Sequence, residues 1–582
     1  MENTITLFTL PDELIFIVLK YTDIRDAINF SATCRHFHDL VKSNQSFWAY
    51  KFKGQLPCIF DVADQYSSGI WLNELKTFLL QKQSIYKELL ELPARHYWKI
   101  GQFSLHDVVH FFKVSSTHNL GYYYTISILH NIIRIGYKKM LQYNTEKPYT
   151  LTEMHYAKCV LSHLMHSYLT VKWIKNQMIE ETPPEIVLNF IVQWIDNENF
   201  HFFEDVLNKL DIWADKVKAH LTNAHPDQLT ENTDELYTPA QIFSAVSTVL
   251  FHQNRMTMTT SANLDTLDVL KVLENKVGNQ IAVYAIYQAI ARRCGAACDL
   301  IVFVNHLFLE WRCEDNPNKP VMYKIQIMTG ELEANHRCPY VSSRFKYSAD
   351  ALLHSLHACF VKSLGPMQNW ASANAADLLG FLGGTYTTPS AYDIFYQFFS
   401  GDIDLISLNS SLDIKNLSER EMAIILSLVH VKIRMNRPLG KFQNKAVKIS
   451  EAREHDVTVK YGVGMVCSHK DLEYQCIIIG WELSCNAEWR TRLTNDGQTT
   501  GFEQPYYNVV ANDQTERYVA QENLVPVNRP NRLLHLEDLV SKDFSHFDGF
   551  SYVMNDEKKT EYPEEGPIIE EHRQRCMTIE NY

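Results

Sequence analysis

Thiols and imidazoles are the side chains of this chain best suited by type to chemistry, and they gather in two places. His155, Cys159, His163 and His166 recur at i, i+4, i+8 and i+11, so they share one helical face. A row spread along three turns sets its ligands too far apart for one tetrahedral ion, and a partly buried polar face is expected instead. Cys294, Cys298 and Cys313 accompany His306. Their spacing, C-x3-C followed by H-x6-C, fits no standard zinc pattern, and burial as small hydrophobes is the ordinary fate of free cysteine. Neither a metal nor a cofactor is expected. Trp481, Trp489, Tyr506 and Tyr507 form a third set, whose chemistry would be recognition. Aromatic side chains contribute most at interface centres, or else they fill a core, and both roles stay open for these four.

The elements that must position these residues follow from apolar spacing. From about 66 to 180 the chain reads as successive amphipathic helices, with Trp71, Leu72, Leu75, Phe78 and Leu79 on one face and Pro93 and Pro148 as breaks. Pro183 and Pro184 mark a boundary. The run V-G-N-Q-I-A-V-Y-A-I-Y-Q-A-I-A-R-R-C-G predicts a helix ending at Gly295, followed by an apolar strand from Leu300 to Val304. Cys294 would end that helix, where the dipole disfavours a thiolate. Residues 346–450 return to helix, with the stripe Met422, Ile425, Leu426 and Val429. Short β-branched and aromatic runs punctuated by Gly, Asn and Asp then predict a small antiparallel barrel over 455–530. The last segment, 531–582, is acidic and Pro-interrupted, which predicts an extended tail packed loosely on the barrel or a disordered one.

At the other end, L-P-D-E-L-I-F-I-V-L-K-Y-T-D begins at Leu10, and Leu10, Leu14, Ile17, Val18 and Tyr21 draw an apolar stripe along one helix. Pro11 suits a first helical turn, and Asp12 and Glu13 sit at the positive end of its dipole. T-C-R-H-F-H and S-F-W follow, bringing Cys34, Phe37, Leu40, Val41, Phe47 and Trp48. Some forty residues cannot enclose so many large apolar groups, so part of the stripe should face another protein. From Leu10 through Trp48 the order and spacing resemble an F-box. That resemblance implies docking to a Skp-family adaptor, and through it to a cullin ubiquitin ligase, with Leu10, Pro11, Ile17, Val18, Cys34 and Trp48 as contacts.

The middle region, with its glycine turn, A-R-R-x-G helix end and H-L-F-L segment, resembles the transglutaminase-like domain of SirB-type proteins and of one F-box subfamily. The resemblance implies a papain-like fold whose nucleophile position falls at Gln280, whose histidine position falls at His306 and whose orienting acid falls at Gln326. An amide is neither a nucleophile nor an anion to stabilise an imidazolium, so two of three catalytic roles are vacant. G-x-G-x-V-x-H-K, G-W, Q-P-Y-Y-N-V and Y-V-A-Q-E-N-L resemble the YccV or HspQ-type domain, which carries a hemimethylated-DNA-binding label. From Val457 to Val527 there are five basic and nine acidic residues, an unfavourable balance for phosphate contacts. Peptide or protein recognition is the better expectation, with DNA through Lys460, Lys470, Arg490 and Arg492 as the alternative.

Composition sets the outer bounds. A chain of 582 residues with formal charge −13 and 46% hydrophobic content is globular, holds several cores and lacks a general affinity for nucleic acid. Twelve scattered cysteines form no disulfide framework, and neither a signal peptide nor a membrane span is read, so the cytosol, the nucleus or both are expected. The expected fold is a multidomain α+β one: F-box helices over 1–52, a helical linker region over 53–182, a transglutaminase-like domain over 183–345, a helical region over 346–450, the barrel and the acidic tail. The expected role is that of a non-catalytic substrate-recognition subunit of a Skp–cullin–F-box ligase, binding substrate proteins. A cysteine-type hydrolase or transferase and a DNA-binding protein are the alternatives.

Overall fold

Four short helices open the chain: α1 (Asp12–Tyr21), α2 (Ile24–Ser31), α3 (Arg35–Ser43) and α4 (Gln45–Gln55). Asp23 starts α2 by accepting from the Asp26 N–H at 2.7 Å, and Asn44 starts α4 by accepting from the Phe47 N–H at 2.9 Å. Ile15, Leu19, Ala27, Phe37, Val41, Phe47 and Trp48 form the interior of this bundle. The computed structural model describes residues 7–97, 105–115, 117–141, 150–179, 182–196, 201, 203–226, 237–303, 306–311, 321–325, 332–334, 344–346, scattered positions between 349 and 378, 459–486, 490 and 501–580. Cys313, Gln326, Trp489, Arg492 and nearly all of the helical region expected over 346–450 lie outside the described residues. The chain divides into two units, Met1–Leu164 with Pro438–Tyr582, and Met165–Arg437.

In the first unit α4 leads through α5 (Phe60–Tyr66) into α6 (Trp71–His96), with the rings of Phe52 and Trp71 5.2 Å apart. α6 packs with α7 (Leu105–Ser115) and α8 (Gly121–Leu141). Inside this packing Gln81 Nε2 donates to Thr125 Oγ1 at 2.6 Å, although its buried Oε1 has no partner among the described residues, and the Tyr124 hydroxyl donates to Glu74 Oε2 at 2.8 Å. α9 (Leu151–Ile179) follows.

The second unit is organised around one helix. α10 (Pro184–Ile195), α11 (Phe203–Ala224), α12 (Pro239–Ser247), α13 (Leu264–Leu267) and α14 (Val269–Asn275) surround α15 (Gln280–Arg293), in which every residue from Ala282 to Ala291 is buried. A helix apolar on all sides can only lie inside. The two arginines that end it have a structural purpose. Arg292 and Arg293 both pair with the buried Glu185 of α10, and Arg293 also reaches Asp211 of α11 at 2.7 Å. The short strands β1 (Thr257–Thr259) and β2 (Val277–Asn279) pair in parallel just before α15. After it come β3 (Asp299–Phe303), β4 (His306–Trp311), β5 (Val321–Ile325), β6 (Leu332–Ala334) and β7 (Arg344–Lys346), antiparallel in the order β6-β5-β4-β3-β7.

Strands β8 (Val466–His469), β9 (Gln475–Glu482), β10 (Tyr506–Ala511), β11 (Glu516–Ala520) and β12 (Leu524–Pro526) form an antiparallel sheet in the order β11-β10-β9-β8-β12. Its two end strands are joined by the single turn Gln521–Asn523, the curled arrangement expected of a small barrel.

The acidic segment beyond it departs from the loose or disordered tail expected of its composition. It folds as α16 (Glu537–Val540), the hairpin β13 (Phe544–Phe547) and β14 (Tyr552–Met554), α17 (Asp556–Glu561) and α18 (Gly566–Glu580). Phe544 and Tyr552 are fully buried with the barrel strands. Gly464, at φ +94°, lets the hairpin approach, since a Cβ there would collide with the Tyr552 carbonyl oxygen. At Gly480 a Cβ would lie 2.6 Å from the Tyr562 hydroxyl. The same segment meets the helices: Thr152 Oγ1 donates to Phe544 O at 3.1 Å, Lys158 Nζ donates to Asp538 at 2.6 Å, and the Tyr97 hydroxyl reaches Glu561 at 2.7 Å. Among the described residues no helix is long and apolar enough to cross a membrane.

Candidate functional site

α1 divides its apolar residues between two faces. Ile15 and Leu19 point inward at 4% exposure each, whereas Leu14, Ile17, Val18 and Tyr21, at i, i+3, i+4 and i+7, stand 47%, 51%, 63% and 89% exposed. The stripe read from spacing is therefore the outer one. Leu7 and Phe8 extend it, with Phe8 stacked on Phe37 at 5.1 Å. Leu10 is half-buried, Pro11 is exposed and precedes the first turn as its cap residue, and Cys34 is half-buried at the start of α3. Trp48 is a different case. It is 1% exposed and its Nε1 donates to the Val41 carbonyl at 2.8 Å, so it is a keystone of the bundle and not a surface contact. Lys51, which spacing did not single out, holds α1 in place by donating to the carbonyls of Lys20 (3.1 Å) and Thr22 at the helix end. Burial lowers the pKa of its ammonium, against the pull of Asp23. A lysine inside the apolar run S-F-W-A-Y-K-F was the available signal.

The start of α15, where the resemblance to transglutaminase-like domains sets the nucleophile position, is well defined. Asn279 caps α15 through its side chain, accepting from the Ile281 N–H at 2.9 Å, and its Nδ2 donates to Ser261 O at 2.9 Å. Gln280 follows as the first helical residue, half-buried and hydrogen-bonded to the Tyr284 hydroxyl. That hydroxyl accepts in turn from the Ile325 N–H at 2.9 Å, at the end of β5. Burial, the largest influence, pushes the Tyr284 pKa up to about 12, so the hydroxyl stays neutral. A place suited to a thiolate, a helix N-terminus, thus holds an amide engaged with a neutral phenol. His306 opens β4, paired with Phe303. Two of the nearby thiols, Cys294 and Cys298, are described. Cys294 Sγ faces the Ala214 carbonyl at 3.7 Å, and burial pushes Cys294 up to about 11 and Cys298 up to about 12, which leaves both protonated near neutral pH.

The histidine row on α9 is likewise built into the fold. His155 Nδ1 lies 3.1 Å from Ser541 Oγ, Cys159 Sγ is 3.8 Å from His155 Nε2, and His166 stacks on Trp194 at 4.1 Å. Among the described residues no three His, Cys, Asp or Glu side chains are gathered as a metal site.

The aromatic set of the barrel corrects an expectation. Trp481 and Tyr507, 5% and 0% exposed, belong to the barrel core, and Tyr506, 2% exposed, packs on the other face of β10 with Cys485 and Ala520, so none of the three is a surface anchor. The Tyr507 hydroxyl donates to Gln521 at 2.9 Å and accepts from the Tyr461 N–H at 3.1 Å. Trp481 Nε1 donates to Glu565 Oε1 at 2.9 Å. Glu565 went unremarked in the sequence, where an acid between Tyr562 and Ile568 was the only sign. Three of the barrel's described cations have local partners, while Lys460 is exposed. Arg490 pairs with Glu503 at 2.8 Å, Arg517 pairs with Asp513, and Lys470 donates to the Glu522 carbonyl.

The domain matches agree with this geometry. Residues 7–49 match the F-box domain, 204–353 the transglutaminase-like superfamily, and 459–551 the family described as hemimethylated DNA-binding protein YccV like. The chain carries an F-box, a transglutaminase-like domain and a YccV-like domain. Proteins named F-box only protein 21 from Homo sapiens, Mus musculus and Pongo abelii are each 22% identical to it, over 97% of this chain and 93% of their own length. No solved structure is significantly similar to it.

Proposed function

We infer that the protein is the substrate-recognition subunit of a Skp–cullin–F-box ubiquitin ligase, acting in the cytosol or nucleus. The observation that carries this function is the outer edge of α1, where Leu14, Ile17 and Val18 stand about half exposed or more beside Leu10, Pro11 and Cys34. Covering such side chains is worth roughly 1.5–3 kcal/mol each, which gives a Skp-family adaptor reason to bind there. The subunit performs no bond chemistry. Gln280 in place of a nucleophile and the protonated Cys294 and Cys298 support a scaffold role for the transglutaminase-like domain. Its contribution is proximity, holding a target protein near the ubiquitin carrier so that two dilute partners meet at high effective concentration. Local pairing of Arg490 and Arg517 disfavours a DNA duplex as the barrel's partner.

The test is capture of a Skp-family adaptor by the full chain. The double variant Ile17→Ser, Val18→Ser should weaken capture by about 1–4 kcal/mol, roughly fivefold or more. Undiminished capture by this variant, or none by the unaltered chain, would count against the assignment.

A further inference from the structure

The barrel contains a recess shaped for a carboxylate, and the chain's own Glu565 fills it. Glu565 is 0% exposed. Its Oε1 accepts from Trp481 Nε1 at 2.9 Å and its Oε2 from the Val463 N–H at 2.7 Å. The donors come from strand β9, which carries Trp481, and from the G-V-G turn of the barrel, and Gly462 leaves the room: a Cβ there would lie 3.0 Å from Oε2. Two N–H groups aimed at the two oxygens of one group select a carboxylate, which only accepts, over an amide, which would set an N–H against one donor. The carrier of Glu565 is lightly held. Of the 15 residues of α18, His572 and Cys576 are buried and Ile568, Ile569 and Arg573 partly so, Arg573 pairing with Asp548 and lying 5.7 Å from the Phe550 ring, while the others described are exposed. Segments with so few buried contacts open at lower free energy than core strands.

We propose that this recess is the barrel's target-binding site, that it takes a glutamate from an acidic protein segment, and that residues 563–580 occupy it in cis until such a segment displaces them. The hairpin β13–β14 and α17 stay in place, and nothing in the proposal depends on the α1 contact with an adaptor.

The probe is a fluorescein-labelled peptide copying residues 560–574, with a second peptide bearing Glu565→Gln. The receptors are the full chain and a full-length variant with Glu565→Ala and Ile568→Ser, which vacates the recess. The first peptide should bind the vacated variant at least about tenfold tighter than the unaltered chain, and the Gln peptide should bind at least about tenfold more weakly. Absence of binding while β9 amides keep their hydrogen-exchange protection overturns the proposal, as does equal binding of the two peptides. Should the variant lose β9 protection, exchange in the unaltered chain decides: α18 amides exchanging at least about tenfold faster than those of β9 support displacement, and equal protection overturns it.

Discussion

At the residue scale, neighbouring apolar side chains in the F-box helices do opposite work. Ile17 and Trp48 both fit the docking motif, yet one is 51% exposed and the other 1%. Trp48→Ala should therefore open a cavity in the bundle and cost about 3–5 kcal/mol, seen as lost hydrogen-exchange protection across α1–α4. Normal protection in that variant would contradict the role assigned to Trp48. Spacing could not separate these roles, because periodicity reports that a face is apolar and is silent about what covers it. Trp481, Tyr506 and Tyr507 repeat the lesson, since aromatic type suits an interface and a core alike. Gln280 is the opposite case: an amide lacks the chemistry of a nucleophile wherever the chain folds.

At the element scale, α9 is joined to the C-terminal segment through His155. Burial, and secondarily the ammonium groups of Lys542 and Lys158, push its pKa down to about 3 from an ordinary 6.5. On acidification the unfolded chain takes up this proton near pH 6.5 and the folded chain only near pH 3, so the contribution to stability is whole above 6.5 and shrinks as pH falls toward 3. His155→Gln keeps a partner for Ser541 and removes the titration. It should flatten the acid dependence of the denaturation midpoint by about one proton, ~1.4 kcal/mol per pH unit, and an unchanged slope would show that His155 is not the group responsible. The helical row of His155, Cys159, His163 and His166 was evident from its spacing, but its purpose was not. Its partner Ser541 lies far away in sequence, inside a stretch whose composition suggested no structure.

At the scale of the whole molecule, the barrel is completed by residues beyond its family signature motifs. Phe544, Tyr552 and Glu565 are fully buried, and the Leu533 N–H donates to the Tyr552 hydroxyl at 2.9 Å. A chain ending at Val527 should lose protection in β8, β9 and β10, whereas one ending at Tyr562 should keep it, as hydrogen exchange can read directly. Retained protection in the shorter chain would show that the sheet folds without its C-terminal cover. The F-box stripe, the helix ending at Gly295 and the strand chemistry of the barrel were evident beforehand because each rests on a local pattern of residues. The folded C-terminal segment was not. Its net acidity averages over Glu565 and Tyr562, both buried against Trp481, which lies far away in sequence.

What the sequence determined by itself was the set of elements, since residue type and spacing along a helix or strand act over a few positions. Which apolar face remained open, which aromatics became core, and which glutamate entered the barrel were decided only in the tertiary structure. Burial and hydrogen-bond pairing are properties of residues brought together from far apart, and no local pattern records who the partner will be.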